Sequence, residues 1–242
     1  MIKIEGLQKK YGSKEILTNI SLHVKKGEIF GLLGSNGAGK STLLSILSSL
    51  IKPSDGVVKI GEYSILKQRR KIREMIGFVP QEITLVNDLT VKENMKFWSH
   101  FTNRKVDERY LRALCDKVQL NEQWNDKVSN LSGGMKRKLN IAVSLIHDPQ
   151  VLLMDEPTVG IDLQSKWEIN QYIKELASNG KTVLYTTHDV EEIVNVCDRI
   201  GVLKNGTMSF VGTVKEAKNH IDMNNEHELS DQEVIYRLLT RD

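Results

Sequence analysis

Gly34-Ser35-Asn36-Gly37-Ala38-Gly39-Lys40-Ser41-Thr42 lies between the apolar run Glu28-Ile29-Phe30-Gly31-Leu32-Leu33 and the helix-forming stretch Ser41-Thr42-Leu43-Leu44-Ser45-Ile46-Leu47. A buried strand, a loop fitting G-x-x-x-x-G-K-[ST] and a helix, in that order, form the context in which a phosphate cradle works. Because glycine has no Cβ, the backbone from Gly34 to Gly39 can wrap a polyphosphate with its N–H groups pointing inward, at the positive end of the helix after the loop. In that geometry Lys40 reaches the β- and γ-phosphates, the Ser41 hydroxyl binds Mg²⁺ and Thr42 sits near the α-phosphate.

Such a cradle needs a carboxylate for the magnesium and a group that positions water. The run Val151-Leu152-Leu153-Met154 reads as a buried strand and ends in Asp155-Glu156-Pro157, which places two acids at the C-terminal edge of a parallel sheet. Asp155 is predicted to hold the magnesium shell. Glu156 is predicted to polarise the attacking water, since phosphoryl transfer depends on in-line positioning more than on covalent chemistry.

Outward from these two segments the pattern alternates. Ile20, Leu22 and Val24 alternate with polar residues, and Ser54-Asp55-Gly56 turns into the strand Val57-Val58-Lys59-Ile60. From about Thr90 to Asp148 the periodicity is helical. There Thr90-Val91-Lys92-Glu93 forms a capping box, and Val91, Met95, Trp98 and Phe101 fall on one face, expected to be core. Strand and helix then resume: a helix over 165–178, a strand Thr182-Val183-Leu184-Tyr185, another helix, and a hairpin at Asn205-Gly206, a dipeptide suited to a type I′ turn. The stretch from Glu226 to Asp242 reads as a C-terminal helix.

With 242 residues, 40% hydrophobic and 27% charged, the chain has the composition of a soluble globular domain. No window holds the roughly 18 consecutive apolar residues of a membrane helix. The start, Met1-Ile2-Lys3-Ile4-Glu5, alternates like a strand rather than a secretory signal, so a cytoplasmic location is expected. Cys115 and Cys197 stand far apart without a CxxC pattern, and buried reduced thiols are expected. A net charge of +3 gives no footing for nucleic acid; the basic run Lys67-Gln68-Arg69-Arg70-Lys71-Ile72-Arg73 reads as a solvated helix face, with contact to an anionic membrane as a second use.

Phosphate loops occur in many ATPases and GTPases. A second feature narrows the choice: Leu131-Ser132-Gly133-Gly134-Met135 precedes an amphipathic helix with Met135, Leu139, Val143 and Ile146 on one face, making a second helix N-terminus suited to anions. With both features present the chain resembles the nucleotide-binding subunits of ABC transporters, over nearly its whole length. The resemblance implies an α/β fold: a P-loop NTPase core with a parallel sheet, an N-terminal antiparallel β subdomain and a helical signature subdomain. It implies a core from residues 1–80 and 150–215, a helical subdomain at 82–148 and a C-terminal helical tail at 216–242.

The resemblance further implies ATP and Mg²⁺ as cofactors and a head-to-tail pair of subunits, in which Ser132, Gly133 and Gly134 of one contact the γ-phosphate held by the other. Tyr11, in Lys9-Lys10-Tyr11-Gly12, matches the aromatic that stacks on adenine. Gln81, after Phe78-Val79-Pro80, matches the glutamine that reaches the magnesium and water. Asp162, in Val159-Gly160-Ile161-Asp162, matches the loop that communicates across the dimer, and His188 matches the histidine that contacts the γ-phosphate. Met135, Ile161 and Leu163 depart from the usual glutamine, leucine and proline, and none of them removes a reacting group.

The form of the signature looks like the exporter branch that moves drugs, antibiotics or peptides. The partners implied are a second ATP-binding subunit, identical or paralogous, and an integral membrane permease on whose inner face the subunit would sit. Three other readings stay open at this point: a soluble ABC-type ATPase of translation, repair or cofactor assembly, an importer ATPase, and a nucleotide-switched regulator without turnover.

Overall fold

The computed structural model of the chain describes residues 1–221 and 229–240. Two sheets carry the fold. In the first, β1 (Ile2–Tyr11) pairs antiparallel with β2 (Lys14–Val24) on one side and with β4 (Asp55–Ile60) on the other, and the short β5 (Tyr63–Ser64) lies beyond β4. Alternation does here what a pleated strand requires: Ile20, Leu22 and Val24 are buried while Ser21 and His23 face out.

The second sheet has the order β10-β9-β3-β8-β7-β6. Its strands are β3 (Ile29–Leu33), β6 (Ile76–Val79), β7 (Val151–Asp155), β8 (Thr182–Thr186), β9 (Arg199–Lys204) and β10 (Thr207–Gly212). All neighbours run parallel except β9 and β10. β3, β7 and β8 are buried at every position. Covered on both faces, they show unbroken apolar runs instead of alternation. β6 has only four residues, and its pattern is too short to separate from the helical signals around it.

α1 (Lys40–Leu47) comes directly after the loop that leaves β3, and α2 (Arg69–Met75) leads into β6. Between β6 and β7 lie α3 (Val91–Ser99), α4 (Glu108–Lys117) and α5 (Gly133–Ser144), as the helical periodicity predicts. The capping box is present: Thr90 Oγ1 accepts from the Glu93 N–H at 3.2 Å, and Glu93 Oε2 accepts from the Thr90 N–H at 2.8 Å. The expected core face is only partly core. Val91 and Met95 are fully buried, but α3 ends at Ser99 and leaves Phe101 71% exposed, edge-on to Phe97. A helical period extrapolated past the end of its helix placed Phe101 wrongly.

After β7 come α6 (Leu163–Ser178) and α7 (Val190–Val196), then α8 (Val214–Ile221), which sequence patterning did not separate from β10. The helix expected over 226–242 is represented by α9 (Asp231–Thr240); residues 226–228 and 241–242 lie outside the described ones. α8 and α9 close an apolar cluster with Leu33, Ile193 and Val202. Among the described residues no helix is long and apolar enough to cross a membrane. Both cysteines are free, and burial pushes the Cys115 and Cys197 thiols up to about 12. The basic run is more than a solvated face: Arg69 and Arg73 donate to the Ser49 carbonyl, tying α2 to the C-terminal end of α1.

The hairpin between β9 and β10 turns at Asn205 (φ 45°) and Gly206 (φ 76°), the two positive values of a type I′ turn. It also docks the two sheets together, since the Gly206 carbonyl accepts from the Thr18 N–H at 2.7 Å. A Cβ on Gly206 would stand 2.4 Å from the Ile16 carbonyl oxygen. We therefore expect Gly206→Val to lower stability by about 2 kcal/mol or more, because backbone strain and the loss of the docking contact act together; urea denaturation of the two proteins measures the difference.

Candidate functional site

β3, β8 and β7 end side by side, and the segments that leave their C-terminal ends enclose one cleft. The loop after β3 enters α1 through Gly39, which has φ 106° and whose Cβ would meet Leu17 Cδ2 at 2.7 Å. Gly34 is equally constrained, with the Leu203 carbonyl oxygen 2.4 Å from where a Cβ would be. Both glycines answer to close approach by β2 and β9 as well as to the shape of the loop. The cleft measures about 800 Å³ and is lined by the loop from Gly34 to Thr42, Ala38 excepted, together with Gln81, Glu156 and His188. That volume suits a nucleotide-sized ligand.

Lys40 is 7% exposed, and its Nζ donates to the carbonyls of Gly34 at 2.7 Å and Ser35 at 3.3 Å. Burial lowers its affinity for a proton, and the Glu156 and Asp155 carboxylates oppose that shift. Across the cleft the two acids have different surroundings. Asp155 ends β7 and accepts from Thr186 Oγ1 at 2.7 Å. Glu156 leaves the strand in a left-handed conformation, φ 46°, which is uncommon for a residue with a side chain. Its N–H donates to the same Thr186 hydroxyl at 2.9 Å. The turn releases the Glu156 side chain from strand alternation into the cleft, where its carboxylate oxygens lie 3.3 Å from Gln81 Nε2 and 3.5 Å from His188 Nδ1. Contacts of that length are loose, so neither neighbour holds the Glu156 carboxylate tightly.

The remaining predicted residues stand elsewhere. Tyr11 ends β1 half-exposed, with Lys9 Nζ 4.6 Å from its ring centroid, and does not line the cleft. Ser132 and Gly133 are exposed at the start of α5, where Ser132 Oγ accepts from the Met135 N–H at 3.2 Å. They too lie outside this chain's own cleft. Gly134 is buried, with Ser165 Oγ only 2.0 Å from the position of a Cβ, so the start of α5 rests on the start of α6. Asp162 caps α6 by accepting from the Ser165 N–H at 2.9 Å, and bonds from Ser165 hold its carboxyl below the usual carboxylate range.

Sequence reasoning missed the groups that hold these residues. Thr186 is one; its signal is the strand register, which pairs Asp155 with Thr186. Lys166 is another, donating from α6 to Asp189, the residue after His188. Arg137 and Lys138 are buried on α5, and each bonds a different neighbour. A lone threonine or a pair of basic residues carries no motif that would mark it in advance.

A family model described as ABC transporter matches residues 17–159. The linearmycin resistance ATP-binding protein LnrL of Bacillus subtilis (strain 168) is 46% identical over 215 residues, 88% of this chain and 69% of that one. The Nod factor export ATP-binding protein I of Rhizobium etli is 40% identical over 208 residues, 85% of this chain and 66% of that one. Among solved structures, a dimeric ATP-binding cassette in a post-hydrolysis state with ADP and Pi is 31% identical, with a TM-score of 0.80 over 88% of this chain and 98% of that one. The chain belongs to the ABC transporter family. Within it, this is the ATP-binding subunit, an ATPase.

Thr186→Val keeps the shape of the side chain but leaves the buried Asp155 oxygen and the Glu156 N–H without their partner. We expect a stability loss of about 1–3 kcal/mol and a fall in kcat of roughly tenfold or more with little change in nucleotide affinity. Steady-state hydrolysis beside a nucleotide titration separates the two effects.

Proposed function

We propose that the chain drives export through a separate membrane permease by closing as a pair on Mg-ATP. The observation that carries this reading is the division of the site: Lys40, Glu156, Gln81 and His188 meet in one cleft while Ser132 and Gly133 stand exposed outside it. A second subunit, identical or paralogous, supplies those two residues and Gly134 to this cleft, and receives them from this chain in return. Export of a drug, antibiotic or peptide is favoured by the relatives named for linearmycin resistance and Nod factor export.

In this reading the N–H groups from Gly34 to Thr42 bind the phosphates and Tyr11 stacks on the adenine. Mg²⁺ fits the donors available, which are the Ser41 hydroxyl, the Asp155 carboxylate and the Gln81 amide oxygen. All three are oxygen donors, the kind that a hard cation such as Mg²⁺ takes. Bound there, it would neutralise charge on the phosphates. Glu156 orients water for in-line attack on the γ-phosphorus and takes its proton. The bond to the β-γ bridging oxygen breaks, and ADP and phosphate result. His188, with the partner's Ser132 and Gly133, stabilises charge on the γ-phosphoryl oxygens, while Asp162 relays closure between subunits.

The permease has a natural seat. Beside the Gln81 segment, α2, β6 and α3 border a groove of about 630 Å³ lined by Arg70, Arg73, Phe78, Trp98 and Phe101 among others. The exposed Phe101, beside the partly buried Phe78 and Trp98 and next to arginines, suits a docking helix of a protein partner. Docking there places the subunit on the cytoplasmic face of the membrane. We assign 1–80 and 150–215 to the nucleotide-binding core, 82–148 to the docking lobe and 216–242 to the tail.

Glu156→Gln should keep ATP binding and lower kcat by about 100-fold or more, whereas Lys40→Ala should lose binding. Undiminished turnover in Glu156→Gln would overturn the assignment of Glu156. Co-purification from detergent-solubilised membranes should recover a multi-spanning partner, and loss of that partner on Phe101→Glu would locate the seat.

A further inference from the structure

The guanidinium of Arg137, one turn into α5 from the exposed Ser132–Gly133 end, is 4% exposed. Its Nη1 donates to the Pro80 carbonyl at 2.7 Å and its Nη2 to the Gln81 carbonyl at 2.5 Å. These are the carbonyls of two successive residues, so the fork grips the peptide on each side of the Gln81 Cα. Among the described residues no other hydrogen bond engages the cation, its Nε has no partner, and no carboxylate lies within ion-pair distance of it. A buried charge bonded only to backbone carbonyls, with the Asp155 carboxylate beyond ion-pair distance offsetting part of its desolvation, is an expensive way to fill space.

We infer that Arg137 is a positioning residue for Gln81, coupling the signature helix to the Gln81–Glu156 contact. This rests on the reading of the cleft given above. Two peptide planes held by one rigid fork fix the direction in which the Gln81 side chain leaves the backbone. That side chain reaches Glu156 Oε2 at 3.3 Å. α5 is therefore joined at its start to the element that addresses a partner's nucleotide, and a turn later to the segment that addresses this chain's own. A second tie runs parallel to it, from Thr84 Oγ1 to Asn140 Oδ1 at 3.1 Å. The adjacent Lys138 points elsewhere, pairing with Glu168 of α6. Neighbouring cations on α5 thus serve different elements, and of the two Arg137 acts on Gln81.

The test is a double-mutant cycle on the full chain, reading kcat and KM for Mg-ATP. Arg137→Met should lower kcat by about tenfold with KM changed by less than about twofold, and Arg137→Lys, which keeps the charge but not the fork, should recover only part of that loss. Placed on Gln81→Ala, Arg137→Met should lower kcat no further, because its effect passes through Gln81. Losses that multiply in the double variant, or wild-type kcat in Arg137→Met, overturn the inference while leaving the cleft reading intact. Wild-type kcat in Gln81→Ala overturns both. If Arg137→Met does not fold, as circular dichroism would show, the same cycle run with Arg137→Lys decides, since multiplied losses count against the inference there as well.

Discussion

Between β7 and β8 a single hydroxyl meets two opposite demands. Thr186 donates to the Asp155 carboxylate and accepts from the next residue's N–H, so both sides of the turn after β7 are held from the neighbouring strand. The arrangement comes from the parallel register, which sets Asp155 opposite Thr186. Buried where water does not compete, one O–H with both capacities used is worth more than two exposed bonds, and its removal orphans two groups at once. The left-handed backbone at Glu156 persists because this hydroxyl fixes it from the neighbouring strand, against the extended conformation that a following proline favours.

From that turn the rest of the site is organised by side-chain ties between helices rather than by the sheet. Lys138 joins α5 to α6, Lys166 joins α6 to the segment after His188, and Gly134 lets α5 and α6 touch. Glu192, 2% exposed on α7, accepts from Thr187 Oγ1 at 2.6 Å and anchors the same segment from below. The loops around Ser132, Asp162 and His188 consequently share one network. A displacement of α5 is felt at each of them through bonds that have discrete partners, which is the physical form that coupling between distant groups requires.

How much of this was legible beforehand depends on the kind of signal. The phosphate loop could be read because Gly34, Gly39 and Lys40 satisfy a geometric demand that few sequences meet by chance. The acids could be read because Val151 to Met154 form a run buried on both faces, and their strand has to stop where polarity returns. The hairpin at Asn205-Gly206 was equally plain, since two consecutive positive φ values restrict residue choice severely. Short β6 and α8 lacked the length over which periodicity accumulates, and Phe101 was misplaced because a helical wheel does not say where the helix ends. Thr186 and Arg137 were invisible for another reason: their meaning lies in what stands opposite them in space, and a strand threonine or a helix arginine has many ordinary uses. Tyr11 was singled out by its order along the chain alone, and the fold sets it outside the cleft.

The β9–β10 hairpin takes on a different significance beside the loop it touches. Leu203 of β9 lies under Gly34, Gly206 is bonded to β2, and β2 in turn presses on Gly39. The antiparallel sheet, whose β1 ends in Tyr11, and the loop that carries Lys40 are thereby clamped through the same few backbone atoms and cannot slide past one another. Their separation is therefore written into the backbone, and no exchange of exposed side chains on either sheet resets it.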